Sequence, residues 1–280
     1  MIALSSRLLL CLLLALGASA VSAEPLRVGV VPQYEERKLQ AAWQPILQHL
    51  QEQTGETFAL RPAKNIPEFE RELNAGHYDL AYMNPFHLVM ANKQQGYLPL
   101  VRDTERQLFG VLVVAANGEI DSPAQLDGKP VAFPAPNALG ASLQMRQELL
   151  DLFGAQVIPQ YVKTHDAVYL NVKLGVTAAG GGIARTLDQQ RPLVRDALRV
   201  IHSTRKVASH PIAALPSLSE TRREAITQAL LQLAESESGR QMLQLIPMAK
   251  IGPASLADYA PLQQMGLERF YVPPQDLPKP

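Results

Sequence analysis

Tyr78-Asp79-Leu80-Ala81-Tyr82-Met83-Asn84-Pro85 is the stretch whose reading decides the fold of this 280-residue chain. Its short apolar run has the length of a buried strand, and Asn84-Pro85 stops it. Pro85 suits the first turn of a helix, which the pattern predicts to continue to about Gln95. Upstream, Leu26-Arg27-Val28-Gly29-Val30-Val31 reads as a first strand stopped by Pro32. Trp43, Ile46, Leu47 and Leu50 then share one helical stripe that ends at Gly55. A second strand over residues 57–60 and a second helix over 66–73, closed by Gly76, complete a βαβαβα opening. Such units build mainly parallel sheets.

The pattern restarts downstream. Strands are predicted over residues 109–115, 130–133, 157–162, 176–179 and 198–201, with helices over 138–153 and 165–174 between them. Asn117-Gly118 marks a turn, Ser122 caps a short helix, and Gly180-Gly181-Gly182 reads either as backbone that a ligand can approach closely or as a flexible loop. Beyond residues 211–215 one long helix is expected over 219–245, a further helix after Pro253, and a loose Pro-rich tail over 272–280. The expected architecture is α/β with two lobes, residues 24–110 with 205–280 and residues 111–204. Each lobe holds a mainly parallel sheet with helices on both faces. Chain that leaves one lobe, builds another and returns makes two connections, hence a hinge and a cleft.

The first 23 residues read as a removable export signal. Arg7 precedes the apolar run 8–16, and Ala18-Ser19-Ala20 and Val21-Ser22-Ala23 offer small residues for cleavage, placed here after Ala23. The run is too short to span a bilayer, and Cys11 lies inside it, away from the cleavage site. Cys11 is the only cysteine, so the mature chain has no disulfide, thiolate metal site or thiol nucleophile. Loss of Arg7 leaves 25 basic against 26 acidic residues, with no basic run that would suit nucleic acid or an anionic membrane. The protein is expected in the periplasm, not embedded in a membrane.

Ligands of open α/β sheets sit at the carboxyl ends of strands. That rule selects the loops at residues 32–35, 83–85, 134–141 and 162–166. The same pieces carry a resemblance. Val30-Val31-Pro32, the stretch from Tyr78 to Pro85 with its helix, Val131-Ala132-Phe133 with Pro136-Asn137, Thr164-His165-Asp166-Ala167-Val168, and Leu174-Gly175-Val176-Thr177-Ala178-Ala179 follow in an order similar to the phosphonate-binding family of periplasmic solute-binding proteins. The resemblance covers about 190 residues. It implies two α/β lobes of the type II periplasmic-binding fold, a small-molecule ligand and an inner-membrane ABC permease as partner. Two departures stand out. The family's run of hydroxyl residues after Pro-Asn reads Ala138-Leu139-Gly140-Ala141 here, with Ser142 a turn later. The acidic position of its Gly-x-x-Asp-Ala-Ala pattern is Thr177. Backbone amides survive these changes while hydroxyl donors do not.

The ligand-binding candidates are therefore Tyr34, Tyr82, Asn84, Asn137, Ala138, Leu139, Gly140, Ser142, His165 and Gly181. Asn84 can both donate and accept, and can also cap the helix after it. His165, beside Thr164 and Asp166 at a helix start, can donate to an anion or join a capping cluster. No catalytic set, metal motif, dinucleotide fingerprint or phosphate loop stands in the sequence, so neither cofactor nor metal is expected. The expected function is capture of a small polar or anionic solute for an ABC importer. The alternative is a ligand-sensing partner of a membrane receptor kinase or cyclase, and an enzyme on the same fold ranks behind both.

Overall fold

The structure, a computed structural model, describes residues 24–273 and 276. The expected export signal and the end of the Pro-rich tail lie outside the described residues.

The opening units fold as their periodicity predicts. Strands β1 (Leu26–Val30), β2 (Phe58–Arg61) and β3 (Leu80–Tyr82) alternate with helices α1 (Glu36–Thr54), α2 (Ile66–Asn74) and α3 (Pro85–Gln95). Trp43, Ile46, Leu47 and Leu50 are the buried stripe of α1, which Gly55 ends in a left-handed conformation (φ 72°). Strand β4 (Leu98–Asp103) and the two-residue β5 (Gln107–Leu108) carry the chain into a second sheet. That sheet comprises β6 (Gly110–Ala115), β7 (Pro130–Phe133), β8 (Ile158–Tyr161), β9 (Ala179–Ile183) and β10 (Leu198–Ser203). Between them run a π-helical turn (Leu139–Leu143), which continues into α4 (Gln144–Phe153), then α5 (His165–Lys173), α6 (Ala184–Asp188) and α7 (Pro192–Arg195). The chain returns through β11 (Val207–Ala208) to β12 (Pro211–Ala214), α8 (Glu220–Gln232), α9 (Glu237–Leu245), β13 (Ile251–Pro253) and α10 (Ala260–Gln263).

The larger sheet has the order β13-β4-β12-β3-β1-β2, the smaller β10-β6-β9-β7-β8. The two crossings pair with each other as the antiparallel ribbon β5–β11. Asp103, fully buried beside this ribbon, accepts the backbone N–H groups of Glu105, Arg106 and Lys250 and so fixes where the outgoing chain turns.

Both sheets are mixed rather than mainly parallel. Only the neighbours within β2-β1-β3 and β8-β7-β9 pair in parallel, because β12 and β13 run against the other strands of the larger sheet and β6 against the others of the smaller. The glycine triplet is the centre of β9, not a loop. A Cβ on Gly180 would stand 2.5 Å from Val168, and one on Gly181 1.9 Å from the Ala141 carbonyl oxygen. Packing demands a bare strand there, and that demand outweighs the low strand preference of glycine. The helix expected over 219–245 is broken by a 3₁₀ turn (Leu233–Glu235), and Ser236 restarts it by accepting the Gly239 N–H. The start of the tail is tied down, since Val272 exchanges two hydrogen bonds with Asn137.

Candidate functional site

Three helices begin at one place between the two sheets. Helix α3 starts at the carboxyl end of β3, where the Asn84 Oδ1 accepts the His87 N–H at 2.8 Å. The π-turn follows the loop after β7, and its first internal bonds come from Ser142 and Leu143 to the Ala138 carbonyl. The N–H groups of Leu139, Gly140 and Ala141 precede those bonds. Helix α5 starts at His165, with Thr164 as its cap. Each helix start presents unpaired N–H groups and the positive end of the helix dipole.

These starts enclose a cavity of about 30 Å³, walled by Val31, Gln33, Ile66, Asn84, Leu108, Ala138, Leu139, Gly140, Ala141, His165, Ile183 and His210. That volume holds one or two waters. No lysine, arginine, aspartate or glutamate forms its wall. Burial lowers the pKa of His165 to about 4 and that of His210 to about 3, so both imidazoles are neutral at pH 7. The Gln33 side-chain amide lies 3.0 Å from the His210 Nε2, while the His165 Nδ1 is buried without a protein partner. The wall thus offers donors from main chain and side chain in a buried, neutral setting, which suits an anion.

A polar relay lies behind the wall. Glu70, 2% exposed, accepts from the His87 Nε2 at 2.7 Å and from the Asn137 Nδ2 at 3.1 Å. The same His87 Nε2 also lies 2.9 Å from the Asn84 Nδ2. The Asn137 carbonyl in turn accepts from the Asn84 Nδ2 at 3.3 Å. An aromatic row runs from Trp43 over Tyr82 to His210, each neighbouring pair of ring centroids 5.3 Å apart.

Of the ten residues predicted from sequence, Asn84, Ala138, Leu139, Gly140 and His165 form the wall. Tyr82 stands one layer back, stacked on His210 with a buried, unpartnered hydroxyl. The Asn137 side chain faces Glu70 and Val272, and the Ser142 hydroxyl accepts from the Arg146 Nε. Gly181 lies beneath the Ala141 carbonyl, a support rather than a wall. Tyr34 stays on its loop, with the Lys38 ammonium 4.1 Å from its ring centroid. Sequence reasoning missed Val31, Gln33, Ile66, Leu108, Ala141, Ile183 and His210. Gln33 and Ala141 sit in selected loops and His210 just before the returning strand; Ile66 and Ile183 carry no local signal. Among the described residues, no three His, Cys, Asp or Glu side chains gather to hold a metal, and no helix is long and apolar enough to cross a membrane.

Comparison with known proteins bears on the family and the fold. A family model described as "ABC transporter, phosphonate, periplasmic substrate-binding protein" matches residues 28–259. PhnD1 of Prochlorococcus marinus, solved with methylphosphonate, superposes with a TM-score of 0.77 at 18% identity, over 87% of this chain and 97% of that one. A binding-protein component of an ABC phosphonate transporter of Pseudomonas aeruginosa gives 0.73 at 14% identity, over 88% and 87%. The periplasmic aliphatic sulphonate-binding protein SsuA of Escherichia coli gives 0.60 at 19%, over 91% and 96%. At these identities the superpositions establish the two-lobed periplasmic-binding fold.

Proposed function

Given that the chain belongs to the phosphonate-binding family of periplasmic substrate-binding proteins of ABC transporters, we propose that it captures a small oxyanion of the phosphonate type at the three convergent helix starts. The observation that carries this reading is a wall rich in N–H donors and free of carboxylates. The missing hydroxyl run is no obstacle, since main-chain N–H groups and a helix dipole bind anions by themselves. A wall without a carboxylate offers no partner to an ammonium, and its aliphatic side favours a short alkyl substituent over an amino-alkyl one.

Residues 24–110 with 205–280 and residues 111–204 act as the two moving lobes, and the β5–β11 ribbon is the hinge. A cavity of about 30 Å³ is a shut cleft, so ligand enters when the lobes part and is held when they close. The export signal is cleaved after Ala23, the permease reads the closed form, and binding involves no chemical turnover. The family match does not favour the sensor alternative.

Thermal unfolding against methylphosphonate, phosphite, phosphate, alkylsulfonates, amino acids and amines tests the reading. A ligand at 100 times its Kd adds about 2.7 kcal/mol, or roughly 5–10 °C for a chain of this size. Stabilisation by amino acids or amines, and by none of the oxyanions, would overturn it.

A further inference from the structure

Arg146 has no place in the wall, yet it is the cation buried nearest the loop that forms it. It lies one turn beyond Ser142 on α4 and is 9% exposed. Its Nε donates to the Ser142 Oγ at 3.2 Å, and one Nη donates to the Pro136 carbonyl at 2.8 Å. Those two contacts grip both ends of the loop that presents the Leu139, Gly140 and Ala141 N–H groups. The same Nη donates to the Phe270 carbonyl at 2.9 Å, and the guanidinium stands 5.4 Å from the Phe270 ring centroid. Among the described residues Arg146 makes no ion pair with a carboxylate, so its charge stays uncompensated next to the anion loop. A buried guanidinium spent on carbonyls and one hydroxyl is costly as a purely structural device.

Phe270 belongs to a strap, residues 269–272, that leaves the core of the larger lobe. Leu267 is fully buried in that core, and Tyr271 packs edge-on against Phe86 at 5.7 Å. From there the strap crosses to the smaller lobe. Val272 exchanges bonds of 2.8 and 3.0 Å with Asn137, and Arg269 pairs with Asp151 at 2.6 Å. It is a third crossing between the lobes, away from the hinge ribbon.

We propose that Arg146 is a positioning residue for ligand capture: it holds residues 136–142 in their anion-accepting shape and clasps the C-terminal strap across the cleft, so that strap docking and ligand binding reinforce each other. The claim rests on the ligand reading above. By linkage, a ligand that favours the docked strap is favoured by it to the same extent.

The strap reports on itself, because trypsin cuts after Arg269, whose side chain is half exposed. Saturating methylphosphonate is expected to slow that cut about tenfold, within the usual range of such couplings. Arg146→Met should abolish the protection and weaken methylphosphonate binding about tenfold, with Arg146→Lys recovering part of both. Val272→Pro removes the N–H given to Asn137 at a residue outside the buried core, so it carries the comparison if Arg146→Met does not fold. A cutting rate indifferent to bound methylphosphonate, with occupancy followed through Trp43 fluorescence, would overturn the clasp. Should no oxyanion bind, the ligand reading fails by itself and small-angle scattering judges the clasp. Arg146→Met or Val272→Pro must then enlarge the radius of gyration, and an unchanged radius overturns the proposal.

Discussion

Gly110→Ala should cripple ligand binding without unfolding the protein. A Cβ at residue 110 would stand 1.9 Å from the Gly140 carbonyl oxygen and 2.5 Å from its carbonyl carbon, whereas real Cβ contacts essentially never fall under 3.0 Å. Both partners are backbone, so no side chain can swing aside. The Gly140–Ala141 peptide must retreat by about 1.1 Å, the difference between 1.9 and 3.0 Å. The Ala141 N–H moves with it, and a hydrogen bond of about 2.9 Å stretched by that amount is no longer a bond. One charge-assisted bond is worth about 2 kcal/mol, so Kd should rise roughly 30-fold. Overpacking at a single Cβ costs about 1–3 kcal/mol of stability, a Tm loss of roughly 2–10 °C. Calorimetric titration with methylphosphonate, paired with a melting curve, separates the two effects. A lowered Tm with unchanged Kd would show that the π-turn amides do not hold the ligand.

Asn84→Ala removes both a helix cap and a wall donor, so about 1 kcal/mol of stability and 1–3 kcal/mol of binding should go together; melting and titration read them separately. Asp103→Ala orphans three backbone N–H groups beside the hinge ribbon and should lower stability by about 2–4 kcal/mol in urea unfolding. Acid should weaken the fold through His165 and His210. Their folded pKa values, about 4 and about 3, lie below the unfolded value of 6.5, so the unfolded chain binds more protons and stability falls as pH drops below 6.5. At pH 5 each imidazole should cost about 2 kcal/mol, and urea midpoints of the His165→Gln, His210→Gln double variant should show a flatter pH dependence between 7 and 5.

The parts of this fold legible in the sequence are those where local and tertiary demands coincide. Gly55 and Asn84 end or begin helices by their own chemistry, and the stripe of α1 faces the core because its period is helical. Legibility fails where a distant neighbour decides. Glycines 180–182 look like a flexible loop until α5 and the π-turn are seen to press on them. Leu98–Asp103 contains a proline and few signals of its own, yet it forms β4 because β12 and β13 flank it. The site divides the same way. Asn84 and His165 announce themselves at helix starts, while Ile66 and Ile183 enter the wall only because the lobes close on each other.

The strand order of the larger sheet has a consequence for the making of the protein. Strand β12 lies in its middle, between β4 and β3, although it is encoded more than a hundred residues after either of them. Until residue 214 has left the ribosome, β3 and β4 each present an unpaired edge. The smaller sheet, by contrast, is supplied entirely by residues 110–203 and can finish first. Under the export proposed above this delay is useful, because the first hundred residues cannot lock into a native sheet before the rest arrives.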